Sequence, residues 1–124
     1  MIIGFPKEHN LEEQRVAISP SSISLYTDFG FKVIIESNAG VGSFFYDDQY
    51  INSGADIISS SNDIYRESDI IVSIDNINED KIALIKEGAI LVSLIDIASS
   101  ENFIKKIIEG KITAISMSMI PRTT

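Results

Sequence analysis

Five short apolar runs set the terms for this chain. Residues 2–5, 32–35, 70–74, 90–94 and 112–116 are each four or five residues long, rich in Ile and Val, and almost uninterrupted in apolar character. A strand with one wet face alternates apolar and polar residues. A run that is apolar throughout predicts a strand covered on both faces, as in a parallel sheet. The segments between the runs carry helix signals. Ser19 and Pro20 read as an N-cap followed by proline at the first helical position, with Gly30 where a left-handed C′ residue belongs. Ile23, Tyr26 and Phe29 fall three apart on one face of that helix. Asn78, Glu79 and Asp80 open a second helix that Lys86 and Gly88 close. Ser99 and Ser100 open a third, with Phe103, Ile104, Ile107 and Ile108 on one stripe and Gly110 at its end. Weaker helical signals cover 47–53 and 61–67. Strand and helix alternating at this spacing predict an α/β fold, an open and mostly parallel sheet with helices on both faces.

The chain has 124 residues, enough for one small domain or part of a larger one, and 44% hydrophobic residues to fill a core. Its formal net charge of -8, with ten scattered Lys and Arg residues, argues against nucleic-acid binding, which needs clustered cations. There is no cysteine, so disulfides, thiolate metal sites and cysteine nucleophiles are excluded. The start of the chain lacks the basic and apolar regions of a signal peptide, and no run is long enough to span a bilayer. These features predict a soluble, cytoplasmic, acidic domain that does not itself insert into a membrane.

Candidate chemistry is sparse. Gly40 and Gly42 form a G-x-G after a strand, but Phe45 stands where a dinucleotide fingerprint needs a third small residue. The pattern predicts a glycine turn, not a cofactor site. Arg15, between the first strand and first helix, could grip a carboxylate through two parallel hydrogen bonds; spacing favours a structural pairing with Glu8, Glu12 or Glu13. His9 is the only histidine and has the surroundings of a turn residue. Asp75 and Asp96 each follow a strand and could face each other at the carboxyl edge of the sheet, though capping of a turn is the commoner role. No nucleophile, base and orienter occur together, so no catalytic residue and no metal ligand is assigned.

The order of the motifs is more informative than any one of them. Ile3-Gly4-Phe5-Pro6-Lys7-Glu8, then Arg15-Val16-Ala17-Ile18-Ser19-Pro20, then Glu36-Ser37-Asn38-Ala39-Gly40-Val41-Gly42 with Gly54-Ala55 after it, resembles the N-terminal domain shared by alanine dehydrogenases and NAD(P) transhydrogenases. The resemblance runs along essentially the whole chain and implies a flavodoxin-like open sheet. Two features favour the transhydrogenase branch. Alanine dehydrogenases carry a substrate lysine and a histidine where this sequence has Asp75 and Asp96, and Ala114 to Arg122 resembles the transhydrogenase form of that strand and its Pro-Arg exit. Ile95-Asp96-Ile97 departs from the Trp-Pro common there in transhydrogenases.

The resemblance therefore implies the N-terminal part, residues 1–124, of the NAD(H)-binding subunit of a proton-translocating NAD(P) transhydrogenase, incomplete at its C-terminus and lacking the Rossmann domain that follows. Implied with it are a homodimer, a membrane and NADP-binding partner subunit at the inner face of the cell membrane, NAD(H) in the full subunit, NADP(H) on the partner and no metal. Arg122 is the residue the resemblance marks as cofactor-contacting; Arg15 is a family motif residue without an assigned role. The chain alone should neither hold NAD tightly nor turn over. An alanine dehydrogenase-like amino-acid oxidoreductase and a non-catalytic interaction module are the alternatives.

Overall fold

A computed structural model describes residues 1–8, 15–75, 77–94 and 101–117. Six strands, β1 (Ile2–Phe5), β2 (Lys32–Glu36), β3 (Asp56–Ile58), β4 (Ile70–Ser73), β5 (Ile90–Ser93) and β6 (Thr113–Ser116), form one sheet in the order β3-β2-β1-β4-β5-β6. Every pairing in it is parallel. The connections carry helices α1 (Ile23–Thr27), α2 (Asp47–Asn52), α3 (Ser61–Glu67) and α4 (Glu101–Glu109), with 3-10 turns at Pro20–Ser22, Val41–Ser43 and Glu79–Leu84. This is the six-stranded doubly wound order; without β3, a short strand outside β2, it reduces to the flavodoxin order β2-β1-β4-β5-β6. The sheet grows in one direction from β1 and in the other from β4. The junction of β1 and β4 is thus the topological switch point.

The apolar runs are continuous because both faces are covered. Register pairs Ile3 with Ile70 and Gly4 with Ile71, so alternate residues of adjacent strands share a face. On one face Ile3, Phe5, Val33 and Ile35 pack with Ile23 of α1 and Tyr50 of α2. On the other, Ile71 and Leu91 pack with Tyr65 of α3, Ile82, and Phe103 and Ile107 of α4. Burial of these side chains, at about 1.5–3 kcal/mol each, is the main source of stability.

The five predicted strands are present, and five departures from expectation follow. The sequence reading missed β3, which is three residues long and opens on Asp56. The helix expected from Asn78 is a 3-10 turn, Glu79–Leu84, in which Asn78 Oδ1 accepts from the Asp80 N–H at 3.0 Å. Its buried Ile82 and Ile85 are three apart, the spacing that a three-residue turn aligns. The helix expected after Ser19 begins as the Pro20–Ser22 turn, and Ser19 Oγ bonds Ser21 and Ser22 Oγ, both at 3.0 Å, instead of capping the backbone. Phe29 lies beyond α1 and is 83% exposed, off the buried face it was assigned. On α4 only Phe103 and Ile107 are buried; Ile104 and Ile108 face outward, at 47% and 70% exposed. Gly30 and Gly88 do take the left-handed conformation expected of them, with φ of 88° and 85°.

Candidate functional site

The carboxyl ends of the strands lie along one edge of a parallel sheet, and open α/β folds place ligands there, at the switch point. In this chain Glu8, just past β1, reaches across that point. Its Oε2 accepts the Ile74 N–H at 3.0 Å and its Oε1 the Asp75 N–H at 2.9 Å, immediately past β4. The carbonyls of the same turn are held from inside the sheet: Ser93 Oγ donates to Ile74 O at 3.3 Å, and Ser73 Oγ donates to Asp75 O. Both serines are buried. One carboxylate and two hydroxyls therefore fix the exit of β4 against the exits of β1 and β5. Glu8→Ala leaves two partly buried N–H groups without their charged acceptor and is expected to cost about 2 kcal/mol in a urea titration. A midpoint equal to the parent's would show that the clamp contributes nothing.

Beside the clamp is a cavity of about 280 Å³ between the exits of β1 and β2, α3 and the Glu79–Leu84 turn. Lys7, Glu8 and Glu36 line it from the sheet, Ser61 and Tyr65 from α3, and Asn78 and Lys81 from the turn. Glu36 Oε1 accepts the Lys7 N–H at 3.2 Å, tying the β1 exit to the end of β2. Burial pushes the Glu36 carboxyl above the ordinary range; that hydrogen bond and the charges of Lys7 and Lys81 oppose the shift. The Tyr65 hydroxyl is driven further up, first by burial and then by Glu36 and Glu8, so it stays protonated and a donor. Lys81 Nζ donates to Asn62 Oδ1 at 2.6 Å.

The residues singled out from sequence do not converge on this cavity. Arg15 is exposed and is not in its lining. Asp75 is a half-buried member of the clamped turn, held there by its backbone N–H. His9, Asp96 and Arg122 lie outside the described residues. The glycine turn is closely packed at Gly40: a Cβ there would come within 2.7 Å of Tyr50 Oη and 2.8 Å of Phe45 O. Asp47 holds it from α2, accepting the Asn38 N–H at 2.9 Å and the Ser37 hydroxyl at 2.7 Å. No dinucleotide cradle exists there. Tyr65, Asn78 and Lys81 stand in the sequence only as parts of helices; the signal that could have found Asn78 and Lys81 is their place after β4 at the switch point, whereas Tyr65 follows the edge strand β3 and carries no such signal. Among the described residues no group of three His, Asp or Glu could hold a metal, and no helix is long and apolar enough to cross a membrane.

Comparison with known proteins gives this edge a context. Residues 4–124 match the family described as Alanine dehydrogenase/PNT, N-terminal domain. The chain is 32% identical over 120 residues to an alanine dehydrogenase of Methanococcus maripaludis, covering 97% of this chain and 32% of that one. It is 37% identical over 122 residues to an NAD(P) transhydrogenase subunit alpha of Haemophilus influenzae, covering 98% and 23%. Among solved structures, a transhydrogenase from Sinorhizobium meliloti superposes with a TM-score of 0.90 at 27% identity, over 100% of this chain and 37% of the other. The chain thus spans a third or so of the length of the proteins it matches.

Proposed function

The chain belongs to the alanine dehydrogenase/PNT N-terminal domain family, and from that premise we propose that it is the N-terminal domain of the NAD(H)-handling subunit of a proton-translocating NAD(P) transhydrogenase. The observation that carries the choice of branch is the exit of β4. Where an alanine dehydrogenase resemblance calls for a cation to hold the substrate, this chain has Ser73 and Asp75, and the turn is clamped by a further carboxylate, Glu8. Asp75 in that place supplies no cation to grip a keto-acid carboxylate. Hydride exchange between two nicotinamides asks for positioning and needs no acid–base residue, which suits an edge where no catalytic dyad occurs among the described residues.

At the glycine turn the described residues do not fit a dinucleotide, because Tyr50 and Phe45 cover Gly40. On this reading the grip on NAD(H) belongs to a Rossmann domain outside residues 1–124, and this domain supplies the opposing wall of the cleft. A homodimer and a membrane-borne, NADP(H)-binding partner subunit complete the assembly at the inner face of the membrane. When bound, the NAD(H) nicotinamide supplies the hydride; Arg122 helps to place it.

The test is an assay of the complete subunit. Reconstituted with its NADP(H)-binding partner, it is expected to transfer hydride between the two coenzyme pools, and to show no alanine-dependent reduction of NAD. The reverse result would establish the alanine dehydrogenase reading, which the relatives at 32% identity support. In the same assay Arg122→Ala is expected to lower the transfer rate roughly tenfold, the loss of one positioned charged hydrogen-bond donor. Its thermal midpoint should stay with the parent's. An unchanged rate would remove Arg122 from the site.

A further inference from the structure

We propose that the cavity beside the Glu8 clamp is a binding site for a small anion, a carboxylate or a phosphate, held by Lys7, Lys81 and the Tyr65 hydroxyl. The inference comes from which hydrogen-bonding groups the lining has already engaged. Several of its acceptors already bond within the protein: both oxygens of Glu8 take backbone N–H groups, Glu36 Oε1 takes the Lys7 N–H, and Asn78 Oδ1 takes the Asp80 N–H. Its donors are in surplus. Lys81 has three N–H bonds and gives one to Asn62; the Lys7 ammonium, the Asn78 amide N–H groups and the Tyr65 hydroxyl remain. Burial and two nearby carboxylates keep that hydroxyl protonated. A ligand that completes such a lining is rich in acceptors and negatively charged.

Position and size agree. The cavity opens at the carboxyl edge of a parallel sheet beside its switch point, and about 280 Å³ admits a small metabolite or phosphate group but not a dinucleotide. Two carboxylates oppose the two lysines: Glu8, whose oxygens are both held by backbone N–H groups, and Glu36, which is the one an anion would contend with. Lys7 and Lys81 both act on it electrostatically, so an entering anion competes with Glu36 for the same two cations. Removing that competitor should strengthen binding, an effect that damage to the fold would not produce. The proposal is independent of the transhydrogenase reading, since either branch of the family could carry such a site.

The experiment is a titration of the 124-residue chain followed by amide NMR, with inorganic phosphate in one arm, acetate and succinate in a second, and chloride as the ionic-strength control. Saturable shifts confined to Lys7, Ser61, Tyr65, Asn78 and Lys81 are expected, and the arm that saturates at the lower concentration identifies the source. Lys81→Gln should weaken binding about tenfold, the worth of one charge-assisted hydrogen bond. Glu36→Gln should tighten it. Shifts that never saturate, that chloride reproduces, or that are unaltered in Lys81→Gln would overturn the site; the parent titration alone can do so if a variant fails to fold.

Discussion

Phe5→Ala is expected to cost the chain about 3–5 kcal/mol, enough to bring a small domain to the edge of unfolding. Phe5 is 0% exposed and closes β1, the strand flanked by β2 and β4 at the middle of the sheet. Its ring meets Tyr26 edge-on, with centroids 6.0 Å apart, and sits in the cluster that joins β2 to α1 and α2. Truncation opens a cavity that three elements would have to move to fill, and parallel strands fixed by hydrogen bonds on both sides cannot follow. Two controls isolate the cause. Phe5→Leu keeps most of the volume and should cost less than about 1.5 kcal/mol. Phe29→Ala deletes the same ring from a site that is 83% exposed and should stay within about 0.5 kcal/mol. Urea midpoints of the three variants decide it. A Phe5→Ala midpoint beside that of Phe29→Ala would mean this face of the sheet is not packed as described.

That contrast between Phe5 and Phe29 also marks how far sequence reasoning reaches here. Strands covered on both faces announce themselves through runs of Ile and Val with little polar interruption, and β1, β2, β4 and β5 were legible for that reason; β6, a half-buried edge strand, was legible from its place after a helix signal and from Ala114 and Ile115. β3 was not: three residues at a sheet edge, opening on Asp56, carry no such constraint. Helix faces were legible only in part. Apolar spacing alone cannot tell Ile107, which is buried, from Ile108, which is 70% exposed, because a helix this short shows the sheet only a narrow stripe. The site was the least legible of all. Glu8 and Glu36 stood in quoted motifs, yet their roles depend on Ile74, Asp75 and Lys7 being brought to them across the sheet, over sequence separations that no local pattern encodes. Asp75 illustrates the point: its backbone N–H, not its carboxylate, is what Glu8 takes.

The second large effect lies at Gly4. Gly4→Ala is expected to destabilise the chain by about 3 kcal/mol, the upper part of the range for adding a methyl group to a packed interior. An added Cβ would fall 1.9 Å from Ser68 Oγ, 3.1 Å from Ser68 Cβ and 3.3 Å from Ile64 Cγ2. Neither side can yield easily. Gly4 is paired with Ile34 on one side and Ile71 on the other, so β1 is held from both directions. Ser68 is fully buried at the end of α3, with its hydroxyl donating to Ile64 O at 2.6 Å. The cause is therefore a contact between two named residues, and a double-mutant cycle can isolate it. Ser68→Ala removes the oxygen that collides and leaves Ile64 O with the Ser68 backbone N–H at 3.2 Å, so alone it should cost little more than about 1 kcal/mol. Combined with Gly4→Ala it should restore part of the loss, and Ser68→Gly, which removes the 3.1 Å contact as well, should restore more of the steric share. Strictly additive costs would place the strain elsewhere. Gly4, within the family-like Ile3-Gly4-Phe5-Pro6-Lys7-Glu8 run, would then owe its place to something other than the approach of α3. Since α3 also carries Ser61 and Tyr65 into the cavity, restoring its seat on β1 should restore the shape of that cavity too.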